Sequence, residues 1–414
     1  MVQYDSYKPS GEKWLGDIPS SWDVRPLKHI FAIQKRIAGQ QGHTVLSITQ
    51  SGIKPKNMAS QGQFAEDYSN YQLVYPGDFA MNHMDLLTGW VDISKYEGVT
   101  SPDYRVFTNK NTVDYLSEYY KYILQYCYSN KVFYGLGQGV AGFGRWRLPA
   151  EMFLNFKLPV PTKTEQTAII KFLNDKASHV DSIISEAKAS IEEYKAWKAS
   201  IIYEAVTKGL DPNVEMKDSG VPWIGKIPTH WRISRIKNET ANLDYMREPI
   251  SAENRENKFG LFDYYGASGV IDKIDDYNVD DTVLLIGEDG ANLRMRNLPL
   301  VYRATGKFWV NNHAHILKVN EENNYGYMAY LLEAGDYTVY ITGAAQPKLS
   351  QFNLMRFPIP VAPRNEQDKI EAYLDAQITK IDSAIAEKEA LIADLESYKR
   401  SLIFEVVTGK RRVC

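Results

Sequence analysis

The chain has 414 residues, 44% hydrophobic and 24% charged, with 48 Lys+Arg against 51 Asp+Glu for a net charge of −3. That length suits two or three domains, each burying its own core, and the balance excludes a nucleic-acid binder that relies on global positive charge, while leaving room for local basic clefts. Cys127 and Cys414 are too few for a disulfide framework, and with no 18-residue apolar run and no signal peptide at the start the expectation is a soluble cytoplasmic protein with no membrane partner.

Taken in order, the chain reads as one plan used twice. Trp14-Leu15-Gly16-Asp17-Ile18-Pro19-Ser20-Ser21-Trp22 opens a first body of short strands and turns. Thr44–Thr49 and Tyr71–Val74 have strand character, the latter before a Pro76-Gly77-Asp78 turn, and Val99–Phe107 enters a strand through Ser101-Pro102-Asp103-Tyr104. Val113–Tyr128 has helical spacing through Tyr115, Tyr119, Ile123 and Tyr126. A long helix is predicted from Thr164 to Lys208. Thr164 is its candidate N-cap, Glu165 sits where the helix dipole favours a carboxylate, and Gly209 can close the far end. Its apolar residues alternate by four and three through Leu173, Ala177, Val180, Ile184, Ala187, Ile191, Tyr194, Ile201 and Ala205, with Lys198 intruding. This is a heptad seam, too narrow to stand without a partner.

The opening returns as Trp223-Ile224-Gly225-Lys226-Ile227-Pro228-Thr229-His230-Trp231. In the second body Thr282–Ile286, Lys307–Val310 and His315–Val319 are predicted strands, Gly287-Glu288-Asp289-Gly290 a turn and Tyr327–Leu332 a helix. A second long helix, with Asn365 as candidate N-cap, Glu366 in its first turn and Gly409 as its stop, repeats the first at an offset of 201 without a gap. Its seam is Leu374, Ile378, Ile381, Ile385, Lys388, Ile392, Leu395, Lys399, Leu402 and Val406. Each helix is the economical partner of the other, and a two-fold relation makes such a pair antiparallel. The fold class expected is therefore α/β (α+β), with two globular bodies, mostly non-parallel sheets, two long antiparallel coiled-coil helices and an internal pseudo-two-fold duplication. The expected boundaries are 1–155, 156–209, 210–356 and 357–414. The bodies share little sequence except at their ends, where Gly142–Leu148, the richer in Gly and Arg, aligns with Gly343–Leu349.

No catalytic centre emerges. Gly137–Gly142 fits G-x-G-x-x-G, but a Tyr-rich loop rather than a strand precedes it, and no acidic residue follows at the required distance. His313 and His315 have the spacing of two ligands on one strand face, yet no cysteine or carboxylate pattern completes a metal site. The acidic turn at Gly287–Asn292 lacks the lysine spacing of a nuclease, and no nucleophile elbow or P-loop occurs. The chain does offer polar and basic residues among aromatics: Lys54, Lys56, Asn57, Asn82, His83, Arg105, Gln138, Arg145 and Arg147 in the first body, and Tyr264, Tyr265, Ser268, Arg294, Arg296, Asn311, Asn312, His313 and Lys348 in the second. Arg and Lys pair with guanine edges or phosphates, and Asn and Gln with adenine, so these are candidate DNA contacts. The 28 tyrosines fit either core packing or a recognition surface.

The Trp-x-Gly-x-Ile-Pro-x-x-Trp openings, the Pro…Glu-Gln helix starts and the paired helices resemble the specificity subunit of Type I restriction-modification systems. Tyr264–Gly269, Gly287–Asn292 and Trp309–His315, with Tyr75–Asp78 and Gly98–Tyr104, resemble segments of that family's target recognition domains. The resemblance implies a subunit without an active site whose two bodies read the halves of a split asymmetric sequence in double-stranded DNA. It implies docking of two methyltransferase subunits and a restriction or motor subunit, which would bind S-adenosylmethionine, ATP and Mg in place of this chain. Lys198 and Lys399 are then candidate subunit contacts or polar breaks that set register. Two other readings predict different behaviour: a coiled-coil adaptor whose bodies bind protein, and a stand-alone nuclease.

Overall fold

The computed structural model describes residues 3–56, 67–139, 146–256 and 258–413. Contacts divide the chain into two units, residues 1–187 with 389–414, and residues 188–388. Both long helices, Lys163–Lys208 and Arg364–Val407, are cut by this division, so each unit holds one body, the first part of one helix and the last part of the other.

In the first unit a four-stranded antiparallel sheet is built from β1 (Phe31–Gln34), β2 (Phe79–Met81), β3 (Val91–Ile93) and β4 (Arg105–Asn109), in the order β1-β4-β2-β3. Phe79 stacks on Phe107 at 5.0 Å, and Phe31 meets both edge-on, so aromatic pairs add to area burial at the sheet's centre. The helix Ser117–Ser129 covers this face with Tyr119, Tyr120, Ile123, Leu124 and Cys127, the spacing of one helical stripe. Here the tyrosines serve the core. The helix starts at Ser117 rather than Val113 because Asn111 Oδ1 accepts from the amides of Val113 and Asp114, an Asx turn that competes with helix. Ile169 and Leu173 of the first long helix and Leu402, Val406 and Val407 of the second complete this core.

The second unit repeats the plan with additions. Its six-stranded sheet has β5 (Thr240–Asn242), β6 (Phe262–Gly266), β7 (Gly269–Ile274), β8 (Val279–Gly287), β9 (Val301–Val310) and β10 (Ala314–Val319), in the order β5-β10-β8-β9-β6-β7. All neighbours are antiparallel except β6 and β9. Ile202, Ala205 and Val206 pack with Ile370, Leu374 and Ile378 in the core beneath the helix Tyr325–Ala334. Strand for strand, β5-β10-β8-β9 repeats β1-β4-β2-β3, and β6-β7 is an extra hairpin. The duplication therefore runs through the bodies, whose sequences do not show it.

The tandem Glu-Gln at each helix start has a tertiary purpose. Glu165 Oε1 accepts from Trp22 Nε1 at 2.9 Å and Glu366 Oε2 from Trp231 Nε1 at 2.9 Å, which ties each opening motif to its helix. Gly209 and Gly409 close the helices at φ +77° and +74°, as their positions predicted, each against the tryptophan of the unit it ends in. The N-caps differ from expectation. Thr162 caps the first long helix, exchanging bonds with Glu165 in a capping box, which leaves Thr164 inside the first turn. The second starts at Arg364 directly after Pro363, which puts Asn365 inside its first turn as well.

Within each unit one seam lysine crosses between the helices. In the second unit Lys198 Nζ lies 2.7 Å from Asp382, and in the first Lys399 Nζ lies 2.6 Å from Asp181. These two pairs are the same contact under the 201-residue repeat. Partly exposed pairs of this kind are worth at most about 1 kcal/mol. A double-mutant cycle on Lys198 and Asp382 in urea unfolding is expected to give a coupling of about 0.5 kcal/mol that shrinks in high salt; a coupling above about 2 kcal/mol would contradict it.

Candidate nucleic-acid interface

In both bodies the loops at one end of the sheet are held by a leucine. The Leu148 amide donates to the His83 carbonyl at 2.9 Å, and the Leu349 amide donates to the Glu288 carbonyl at 2.7 Å. His83 and Glu288 occupy the same place, two residues past Met81 and Ile286, which pair with Arg105 and His315. The structure thus assembles residues far apart in sequence: loop 82–90 with 138–139 and 146–148, and loop 288–300 with 311–313 and 342–349.

In the first body Gln138 and Arg147 form a backbone bridge, both exposed, with His83 half-buried behind them. Burial, then the charges of Arg105 and Arg147, push the His83 imidazole down to about 3, so it is neutral at physiological pH. The Asn82 carbonyl accepts from the Tyr128 hydroxyl. Lys54 is exposed on the separate hairpin formed by Leu46–Thr49 and Gly52–Pro55, and Lys56 sits beside it, its amide bonded to the Val45 carbonyl. Asn57 and Arg145 lie outside the described residues. Arg105 is a correction. It is 5% exposed, with its guanidinium 4.8 Å from the Phe153 ring centre, so it cannot reach DNA.

In the second body Glu288 is the hub of the equivalent loop. Its carboxylate takes Arg247 on one oxygen and Lys348 on the other, at 3.0 Å. Burial alone would raise it, but bonds to Lys348 and Arg247 hold it below the usual carboxylate range. His313 is exposed and bonds Asp289 at 2.7 Å; Asn312 and the hairpin tip Ser268 are exposed nearby in the fold, Gly287 meeting the Ala267 carbonyl. Arg294 donates to the Gly343 carbonyl at 3.2 Å. Arg296 is held by Glu333, which makes it structural. Tyr264, at 1% exposed, lies in the core with Arg255 over its ring, Asn311 is buried and bonds the His313 amide, and Tyr265 is half-buried against Phe308; none of these three is a presented contact. His313 and His315 do not share a face: His315 is buried on β10 between Asp244 and the Leu349 carbonyl. Sequence reasoning missed Arg247, which joins Glu288 to Asp244 and the Asn312 carbonyl; nothing local marks it. Among the described residues no group of three His, Cys, Asp or Glu can hold a metal, and no helix is long and apolar enough to cross a membrane.

What remains on the surface is a donor-rich rim on a rigid frame, with Arg147 and Gln138 in one body and Lys348, His313, Asn312 and Ser268 in the other. Such groups suit base edges and phosphates. A family model, the type I restriction modification DNA specificity domain, matches the chain twice, at residues 19–193 and 231–393. The chain belongs to this family. The two matches fall on the two halves of the duplication, and the specificity-domain family accounts for most of the sequence. The chain is 24% identical, over 96% of both chains, to the putative type I restriction enzyme MjaX specificity subunit of Methanocaldococcus jannaschii. It is 31% identical over 140 residues to a putative type I restriction enzyme specificity subunit of Haemophilus influenzae, spanning 35% of that relative's length. A chain from a structure of complex assembly and conformational transition of the type I R-M system superposes with a TM-score of 0.69 over 94% of this chain and 98% of that one, at 12% identity. That likeness speaks to the fold.

Proposed function

We propose that this specificity subunit reads a split, asymmetric DNA sequence, one half with each body, and carries methyltransferase and restriction subunits to it. One observation carries the reading: the same four-stranded frame and leucine clasp occur twice, holding loops of different chemistry. A constant frame with different rims is what two half-sites of different sequence require. The antiparallel helix segments then act as a coiled-coil spacer that fixes the gap between half-sites, as dimer geometry does for other DNA readers. Two linked readers also bind cooperatively, because the second contact is intramolecular. On this reading the chain has no chemistry of its own; partner subunits supply S-adenosylmethionine, ATP and Mg.

The test is co-expression with the neighbouring methyltransferase subunit in a methylation-free host, followed by sequencing of modified bases. The expected outcome is two short half-sites separated by a fixed gap, with one half changing when residues 1–155 are exchanged and the other when residues 210–356 are. Affinity is expected to fall steeply with salt, through release of phosphate counterions. A stable complex that modifies nothing, with salt-insensitive binding to protein alone, would favour the adaptor reading.

A further inference from the structure

We propose that Arg105 and His315 are positioning residues for recognition, each fixing where its body's loops present their side chains to a half-site by holding the carbonyl of the clasping leucine. The proposal rests on the recognition reading above and deepens it. Among the described residues the fully buried basic side chains are these two, at 5% and 0% exposed. They occupy the same place in two bodies that share little sequence, since Arg105 pairs with Met81 and His315 with Ile286, each the second residue before the clasp. Both make the same bond. Arg105 Nη2 donates to the Leu148 carbonyl at 2.9 Å, and His315 Nε2 to the Leu349 carbonyl at 2.8 Å. Each leucine is therefore held at both ends, its amide by the loop after β2 or β8 and its carbonyl by a basic side chain on the neighbouring strand. The loop that precedes it, carrying Gln138 and Arg147 or Lys348, takes its position from that clasp.

The energetics point away from packing as the reason for these side chains. Arg105 forms no ion pair among the described residues, and burial pulls its guanidinium down to about 10. An apolar side chain of similar volume would escape that desolvation cost but leave the Leu148 carbonyl unpaired. A buried cation whose polar bond goes to a loop carbonyl contributes geometry that an apolar side chain cannot. In the second body the strut extends further. His315 Nδ1 bonds Asp244 at 2.6 Å, Asp244 also accepts from the Ile316 amide at 2.8 Å, and Arg247 bridges Asp244 to Glu288 in the loop itself.

The decisive variant is Arg105→Met, which keeps the volume and removes the donor. With the wild-type half-sites known from modified-base sequencing, binding of the full chain with its methyltransferase subunit is measured on duplexes carrying single-base changes in each half. Arg105→Met is expected to fold, with a somewhat lower melting temperature because the buried Leu148 carbonyl loses its partner, and to lose about tenfold in discrimination at one half-site and none at the other, a loss on the scale of one hydrogen bond. His315→Gln is expected to act on the opposite half-site, and Arg105→Lys, which retains a donor, to recover part of the loss. A loss of folded protein alone would lower binding without changing base preference, so discrimination separates positioning from stability. Should the methionine variant not fold, His315→Gln carries the same readout at the other half-site. A folded variant with wild-type discrimination at both half-sites, or with equal loss at both, would overturn the proposal alone. A wild-type complex without base preference would overturn the recognition reading with it.

Discussion

Gln367→Leu is expected to cost about 3 kcal/mol or more in stability. Gln367 is 1% exposed, and its carboxamide is fully used. The oxygen accepts from the Asn324 amide at 2.7 Å, and the nitrogen donates to the Ala362 carbonyl at 2.8 Å and to Asn323 Oδ1 at 3.0 Å. Leucine fills the space but leaves three buried partners unpaired, each at about 1–3 kcal/mol. Asn323 and Asn324 lie just before the helix Tyr325–Ala334 and Ala362 just before the long helix, so the glutamine pins the start of the long helix to the body. Gln166 does the same in the first unit, taking the Leu116 amide at 2.8 Å and the carbonyls of Asp114 and Pro161 at 2.9 and 3.0 Å, so Gln166→Leu is expected to match it. Urea unfolding of both variants checks this, and a loss below about 1 kcal/mol for either would contradict it.

The second large effect is expected at Trp22. The ring is 0% exposed and packs over Gly409, and its Nε1 donates to Glu165. Trp22→Ala removes the largest side chain of that junction and is expected to cost about 3–5 kcal/mol. Trp22→Phe keeps most of the apolar contact and loses the bond to a carboxylate, so its cost is expected near 2 kcal/mol. Thermal melts should rank wild type above Phe above Ala. Equal losses for the two variants would mean that the hydrogen bond, not ring burial, holds the opening motif to the helix.

The duplicated openings and helices were legible because their signals are local. A seam repeating by four and three, a glutamate in the first turn and a glycine at the end each reflect the helix's own geometry, and the constant offset of 201 exposed the copy. Thr162 shows the limit even there, since the cap lies two residues before the expected Thr164: cap choice depends on where the preceding strand releases the chain.

The candidate site was legible only in outline. Gln138, Arg147, Asn312, His313 and Lys348 do lie on the rims that the fold assembles, whereas Arg105, Tyr264 and Asn311 are buried and Arg296 is held by Glu333. A basic residue in an alternating strand reads as solvent-facing, because sequence does not say which face the neighbouring helix covers.

By itself the sequence determined the helices, their punctuation and the doubling of the chain, since periodicity and capping act over a few residues. Only the tertiary structure decided that the bodies are copies too, that two leucines clasp equivalent loops, and that a buried basic side chain, Arg105 or His315, backs each one. Those facts depend on strand register and on partners dozens of residues apart, where diverged side chains can occupy the same backbone frame.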